Sequence, residues 1–446
     1  MMELTILGGP GEHGRSSYLL RREDQYILLD CGIDIQPEYD GEQARLAPIM
    51  PGLQAVFLSH AHEDHSSGLQ LLQHYGYQGE IWTTRATVRQ LPVCLKTMEY
   101  ERYALAEAGG AYKQAGMEMD AGDGLQFRYL EDVVAPGEWI SLRPELDICW
   151  GRAGHLPGSI WITLNWNGRK IFYTGDYSAE SRLLQADRPL HHSRIVSRTH
   201  PLPGQIPDLD LAIVDAAYGV DTDRQGNKLA QLGRYIKETL LRHSAVLLPV
   251  PIYGRGQELM LWAYEQFPKV PILVEQDLLD ALRLFASDER WLQPNGIERI
   301  QRLLQTDRLH RMTDDRSREQ LMGAYPCALI FTDDGMMQTS KAQQHYMRVA
   351  TRADNRVIFT GDLAQGSFGR TLMMDMEHKG CQILHVRYKV HQGLPDVRQM
   401  LLDLKSPPTV LVHAPPSRTD GLALRLEQEG FQHVHSLLAE QQLSFG

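Results

Sequence analysis

The rhythm of apolar positions changes partway along the chain. Up to about residue 208 they come in short bursts, at Leu4–Leu7, Tyr26–Leu29, Ala55–Leu58, Ile160–Leu164 and Lys170–Tyr173, divided by loops and occasional helical stretches. Bursts of this length predict strands. Two of them flank Asn167-Gly168, and an Asn-Gly pair between apolar runs predicts a tight hairpin. From about residue 209 the style shifts to buried-type runs, Leu211–Val214, Ala245–Val250, Val270–Val274, Ala328–Phe331 and Arg356–Phe359, with helical periodicity between them. That alternation predicts parallel α/β units with both sheet faces covered. Thr409–Val412 reads as a final strand, followed by a helix over Gly421–Glu429 and a last short apolar run. The expected organisation is one domain interrupted by another: 1–208, an insertion over 209–385, and a return over 386–446.

Composition adds limits to this picture. With 446 residues the chain exceeds one ordinary domain, and 43% apolar with 23% charged residues describes a chain that buries real cores. No run approaches the roughly 20 apolar residues of a membrane-spanning helix, and the N-terminus reads as a strand rather than a signal peptide. A cytoplasmic protein with no membrane attachment is expected. Cys31, Cys94, Cys149, Cys327 and Cys381 include no CxxC pair, which fits reduced thiols. The net charge of −11 argues against charge-driven, nonspecific nucleic-acid binding. Bound cations and a few arginines in a cleft can still attract phosphate, so charge leaves the substrate class open. The loop from Asp187 to Leu209, rich in Pro, His and Arg, reads as a solvated insertion in preference to a substrate-contacting flap.

The densest chemistry follows the strand Ala55–Leu58. Ser59-His60-Ala61-His62-Glu63-Asp64-His65 places His60, His62, Asp64 and His65 within six residues, where the chain turns and the four side chains can converge. Imidazole with carboxylate suits zinc. A histidine-rich surface turn is the bland alternative, but it leaves the distant partners unexplained. His155 in Ala153-Gly154-His155-Leu156-Pro157-Gly158-Ser159 precedes a strand, Asp176 in Thr174-Gly175-Asp176-Tyr177-Ser178 follows one, and His413 follows Thr409–Val412. Each sits where a strand end meets a loop, a common place for ligands held on a rigid scaffold.

In this order the motifs resemble the metallo-β-lactamase superfamily, and within it the β-CASP nuclease family, whose members include ribonuclease J and the endonuclease subunit of the cleavage and polyadenylation machinery. HAHEDH is similar to the HxHxDH signature, and Gly8–Ser17 and Leu29-Asp30-Cys31-Gly32 match the opening motifs. AGHLPGS and YTGDYS resemble the third and fourth motifs. Asp215-Ala216-Ala217-Tyr218-Gly219 is similar to the (E/D)STYG segment, and Gly254-Arg255-Gly256-Gln257-Glu258 to the GRAQE loop. Asp334–Gln338 resembles PGMMQ, the segment through Gln365–Arg370 resembles GYxxEGTLGR, and His391 and His413 match the second and third β-CASP histidines. Three places depart from the pattern: Gly393 stands where an aspartate is usual, DAAYG lacks the Ser-Thr hydroxyls, and DGMMQTS replaces PGMMQSG.

The resemblance implies an α/β protein, an αββα metallo-β-lactamase sandwich with an inserted, Rossmann-like parallel-sheet β-CASP domain. It implies two zinc ions, one on His60, His62 and His155 and one on Asp64, His65 and His413, with Asp176 bridging and Asp30 orienting a ligand from behind. Two such ions would generate hydroxide at neutral pH and clamp a phosphate, giving Asp64 and Asp176 catalytic roles. His391, held by Asp215, would protonate the leaving oxygen, and Arg255 and Arg370 would contact substrate phosphates. The implied activity is hydrolysis of phosphodiesters in single-stranded RNA, because His413 is the histidine that DNA-cutting relatives typically lack. Single-stranded DNA cleavage and a non-catalytic scaffold role are the alternatives. RNA is the expected partner, and a homodimer or a subunit of a larger nucleic-acid-processing complex are both compatible.

Overall fold

The computed structural model describes residues 1–8, 15–32, 46–95, 124–189, 208–375 and 380–446. Residues 9–14 of the glycine-rich opening and 190–207 of the Pro-, His- and Arg-rich loop lie outside them. The described residues form two compact units. The first comprises Met1–Ala179, Ala186–Thr222 and His391–Gly446, and the second Glu180–Gln185 with Asp223–Val390.

In the first unit, the described residues build two seven-stranded sheets. One runs, edge to edge, through Gln442–Phe445, Met2–Gly8, Ser17–Arg22, Gln25–Leu29, Leu53–Phe57, Glu80–Thr83 and Gln126–Tyr129. The other runs through Val434–Ser436, Thr409–Val412, Leu211–Asp215, Arg169–Tyr173, Ile160–Trp166, Leu146–Arg152 and Trp139–Arg143. The expected Asn167-Gly168 hairpin joins two of these strands, with both turn residues at positive φ (53° and 81°), the backbone an Asn-Gly turn supplies.

The strand Leu211–Asp215 corrects the expected boundary at 209. It pairs in parallel with both Arg169–Tyr173 and Thr409–Val412, so it belongs to the first unit. Its apolar run Leu211–Val214 reflects two covered faces, which an interior parallel strand has in either unit. Ala212 and Val214 pack with Leu394, Val397, Met400 and Leu401 of the helix Leu394–Asp403 and Leu422, Ala423 and Leu426 of the helix Pro416–Gln428. Because side chains alternate along a strand, Asp215 points to the opposite face. Phe172 and Tyr173 divide in the same way. Phe172 joins the helix-facing core, while the Tyr173 ring meets Tyr18 of the other sheet edge-on, centroids 5.4 Å apart. The face of the second sheet turned away from its helices therefore meets the first sheet.

The second unit holds one parallel sheet among its described residues, in the order Leu309–Met312, Ile272–Glu275, Leu329–Thr332, Val246–Pro249, Arg356–Phe359 and Gln382–His385. One face packs on the helix Ser340–Val349 through Ala342, Tyr346 and Val349. The five cysteines are unpaired. Among the described residues, no helix is long and apolar enough to cross a membrane.

Candidate metal centre

Strand ends of the first unit carry most of the chemistry. His60–His65 follow Leu53–Phe57, Asp176 follows Arg169–Tyr173, Asp215 ends its strand and His413 follows Thr409–Val412. Asp30 and His413 both adopt positive φ, 55° and 64°, the left-handed backbone that turns a side chain sharply off the end of a strand. The turn carrying His60–His65 is gripped from outside. Ser16 N donates to Asp64 O at 2.6 Å and Cys31 N to His65 O at 2.8 Å. A Cβ on Gly32 would fall 1.7 Å from Asp64 O, so only glycine permits this approach. Gly175, at φ 53°, has the same role beside Asp176, where a Cβ would lie 2.7 Å from Ser59 Cβ.

Two donor sets result. His62 Nδ1 lies 3.2 Å from His60 Nε2 and 3.1 Å from His155 Nε2, and Asp176 Oδ2 lies 3.5 Å and 3.4 Å from those two nitrogens. Four ligands about 2.0–2.1 Å from one tetrahedral centre stand about 3.3 Å apart, so the spacing fits a tetrahedral divalent cation. The second set faces the other oxygen of the same carboxylate. His65 Nε2 is 3.2 Å from Asp176 Oδ1 and 3.7 Å from Asp64 Oδ2, and His413 Nε2 is 3.1 Å from Asp64 Oδ2. His65 Nε2 and Asp176 Oδ1 are buried with no hydrogen-bond partner among the described residues, an arrangement that costs free energy unless another group engages them.

The electrostatics agree. Burial, reinforced by neighbouring histidines, lowers His62 to about 4, and it holds His60 well below its ordinary value. Both rings are therefore neutral near pH 7, as metal ligands must be. Burial would raise the Asp176 and Asp64 carboxyls, but the surrounding histidines hold both well below the usual range. Burial opposes charge on His65 and His413 as well, yet Asp176 and its neighbouring carboxylates raise both. The carboxylates thus demand positive charge here, and a divalent cation would displace those protons.

His391 stands beside both sets in an irregular segment before the helix Leu394–Asp403. Its Nδ1 is 3.1 Å from Asp215 Oδ2 and 3.7 Å from Asp176 Oδ2. Asp215 also accepts from the backbone of Ala217 at 3.0 Å and Tyr177 at 3.2 Å. Burial would raise this carboxyl, and His391 and His413 lower it strongly.

Residues 10–82 match the family described as Metallo-beta-lactamase superfamily, and residues 259–372 match the Beta-Casp domain. The chain thus carries a metallo-β-lactamase region and a Beta-Casp region in one sequence. Transcription termination factor FttA of Methanothermobacter thermautotrophicus is 25% identical over 83% of this chain and 57% of its own length. The same-named protein of Methanosarcina mazei is 25% identical over 83% and 58%. The chain therefore spans little more than half of these relatives. Probable RNase MJ4 of Methanocaldococcus jannaschii is 23% identical over 98% of this chain and 99% of its own. A crystal structure of a protein of unknown function from Enterococcus faecalis V583 shares the fold, with a TM-score of 0.57 at 12% identity and 99% coverage of both chains.

The superfamily implies a divalent metal, and the residues present fit one. Of the departures from the β-CASP pattern, Gly393 has a local explanation. A Cβ on Gly393 would fall 2.5 Å from Asp221 O, and Asp396 caps this point by accepting from Gly393 N at 3.0 Å. Asp215, shorter than a glutamate, still reaches His391. Arg255 and Arg370 are not in the unit that holds the donor sets. Arg255 opens the helix Arg255–Gln266, and its guanidinium lies so close to Gly361 that a Cβ there would overlap it. Arg370 is exposed on the short helix Phe368–Met374. Two contributors were not singled out from the sequence. Ser59 Oγ contacts His60 Nδ1 at 3.0 Å, and Tyr173 OH donates to Asp30 Oδ2. Ser59's position directly before HAHEDH was the available signal. Tyr173 offered only its place as the last residue of a strand leading into Asp176.

Proposed function

We propose that the chain is a metal-dependent phosphodiester hydrolase that cleaves single-stranded RNA. The observation that carries this reading is Asp176, whose two oxygens each face a separate donor set. In this reading His60, His62, His155 and Asp176 would hold one zinc, and Asp64, His65, His413 and Asp176 would hold a second. When bound, the pair supplies an activated water and a clamp for the phosphate oxygens. The chain's own residues do the rest. Asp176 fixes both sets in one frame, and Asp30 holds the His65 ring from behind. Asp215 accepts from His391 Nδ1, which keeps Nε2 as the atom that delivers a proton to the leaving oxygen. Arg370, exposed, is a candidate contact for the substrate backbone, and Arg255 contributes positive charge within the second unit. RNA as substrate is supported by the relative of matching length, whose name is Probable RNase, and by His413.

The test is single-turnover cleavage of end-labelled single-stranded RNA and DNA of one sequence, with and without a strong chelator. RNA cut faster than DNA, and no cleavage after chelation, is the expected result. DNA cut with RNA spared overturns the substrate. Neither cut, with two ions bound, overturns the activity and leaves a scaffold.

A further inference from the structure

A single carboxylate reaches a histidine in each donor set. Asp30 is fully buried, and its Oδ1 accepts from Ser59 N at 2.6 Å. Its Oδ2 accepts from Ser59 Oγ at 2.6 Å, contacts His65 Nδ1 at 2.6 Å and accepts from Tyr173 OH. An ionised carboxylate only accepts, so His65 holds a proton on Nδ1, and Nε2, facing Asp64 and Asp176, is the nitrogen left for a cation that displaces the proton those carboxylates hold there. The Ser59 hydroxyl has one proton, and it is committed to Asp30. Ser59 Oγ can then act only as acceptor toward His60 Nδ1, 3.0 Å away, so His60 also keeps its proton on Nδ1 and presents a bare Nε2. The path His60–Ser59–Asp30–His65 is buried throughout. Tyr173 closes it from the opposite sheet, its ring held edge-on by Tyr18.

We infer that Asp30, through Ser59 on one side and directly on the other, dictates which nitrogen His60 and His65 offer, so that one positioning carboxylate governs metal uptake at both sets. Ser59 and Tyr173 are positioning residues in this scheme. Ser59 serves the His60 set alone, while Tyr173 steadies Asp30 itself. The inference rests on the two-ion reading above.

The experiment follows metal binding, not turnover. Apo full-length chain is titrated with zinc against a chromophoric chelator, and the imidazole N–H protons are followed by NMR. Wild type should show two binding steps and two exchange-protected Nδ1–H signals from His60 and His65. Asp30→Asn, nearly isosteric and tolerant of positive φ, should weaken both steps by about 10–100-fold and release both signals. Ser59→Ala should weaken one step by about 10-fold and release only the His60 signal. Tyr173→Phe, a loss of one hydroxyl from a packed ring, should weaken binding by less than Asp30→Asn. Thermal unfolding of each apo variant separates these effects from loss of fold. The inference is overturned if Asp30→Asn alters one step only, or if Ser59→Ala alters both steps or neither while wild type binds two ions. A wild-type chain that binds no metal overturns the two-ion reading, and the inference with it.

Discussion

His65 and His345 are both fully buried, and each lies 2.6 Å from a carboxylate, yet they sit in different units and in different charge surroundings. His345 Nε2 meets Glu275 Oε1, and Arg318 closes on the same carboxylate with Nε at 2.8 Å and Nη2 at 3.0 Å. Charge is balanced on the spot, and the other ring nitrogen of His345 is buried with no hydrogen-bond partner among the described residues. His65 meets Asp30 through Nδ1, but its Nε2 faces two further carboxylates, Asp64 and Asp176. The difference lies in the second nitrogen. A buried histidine–carboxylate pair alone signals a held ring, whereas a held ring whose free nitrogen looks at unbalanced anions signals a ligand.

The sharpest way to break this contrast is to delete each ring. His65→Ala should cost about one metal ion per chain by elemental analysis and take RNA cleavage to the detection limit. His345→Ala should keep both ions and the cleavage rate per folded molecule. Asp176→Ala, which removes the shared carboxylate, should empty both sets further than His65→Ala does. If His345→Ala loses metal as fully as His65→Ala, the distinction by the second nitrogen is wrong.

His391 sharpens the contrast from within the first unit, because its Nδ1 is taken by Asp215 and its ring is the more exposed one. His391→Ala should lower the single-turnover rate by about 10²–10⁴-fold while metal content stays normal. Asp215→Asn should cost less. An unchanged single-turnover rate for His391→Ala would make the ring structural, like His345.

Arg370 extends the contrast to the second unit, as an exposed charge and not a buried pair. Arg370→Ala should weaken RNA binding by about 3–10-fold and reduce the slope of log affinity against log salt by about 1, with the rate at saturating enzyme unchanged. A salt slope equal to that of wild type would remove Arg370 from the substrate path.

These contrasts were unevenly legible in the sequence. Arg356–Phe359 and Thr409–Val412 are strands with the bounds their apolar runs predict, because interior parallel strands are covered on both faces. The strands at the six sheet edges were not delimited. Gln126–Tyr129, Gln442–Phe445, Trp139–Arg143, Val434–Ser436, Leu309–Met312 and Gln382–His385 are short and half polar, which suits an edge and hides the strand signal. The metal-ligand candidates stood out by motif, since ligand chemistry is written in residue type. Ser59 and Tyr173 did not, because their part depends on which oxygen of Asp30 they touch. His345 and Glu275, 70 residues apart, offered no local pattern at all.

The smallest effect expected is on stability, and it tests whether the His345 pair is purely structural. Burial would raise the Glu275 carboxyl, but His345 and Arg318 lower it to about 2. A carboxyl held below its unfolded value contributes stability above that value, near pH 4.5, and loses it as pH falls toward about 2. Glu275→Gln should therefore destabilise the chain near pH 7 by on the order of 3 kcal/mol, since it removes the buried charge that pairs with His345 and with the half-buried Arg318. The gap between variant and wild type should narrow as pH drops from about 4.5 toward 2, where the wild-type carboxyl is itself neutralised. Chemical unfolding at a series of pH values reads this directly, with metal content measured alongside. A gap that stays constant across that window would mean that the Glu275 charge contributes nothing and that shape alone holds His345. A loss of metal in the same variant would join the two units' histidines in one function, against the contrast drawn here.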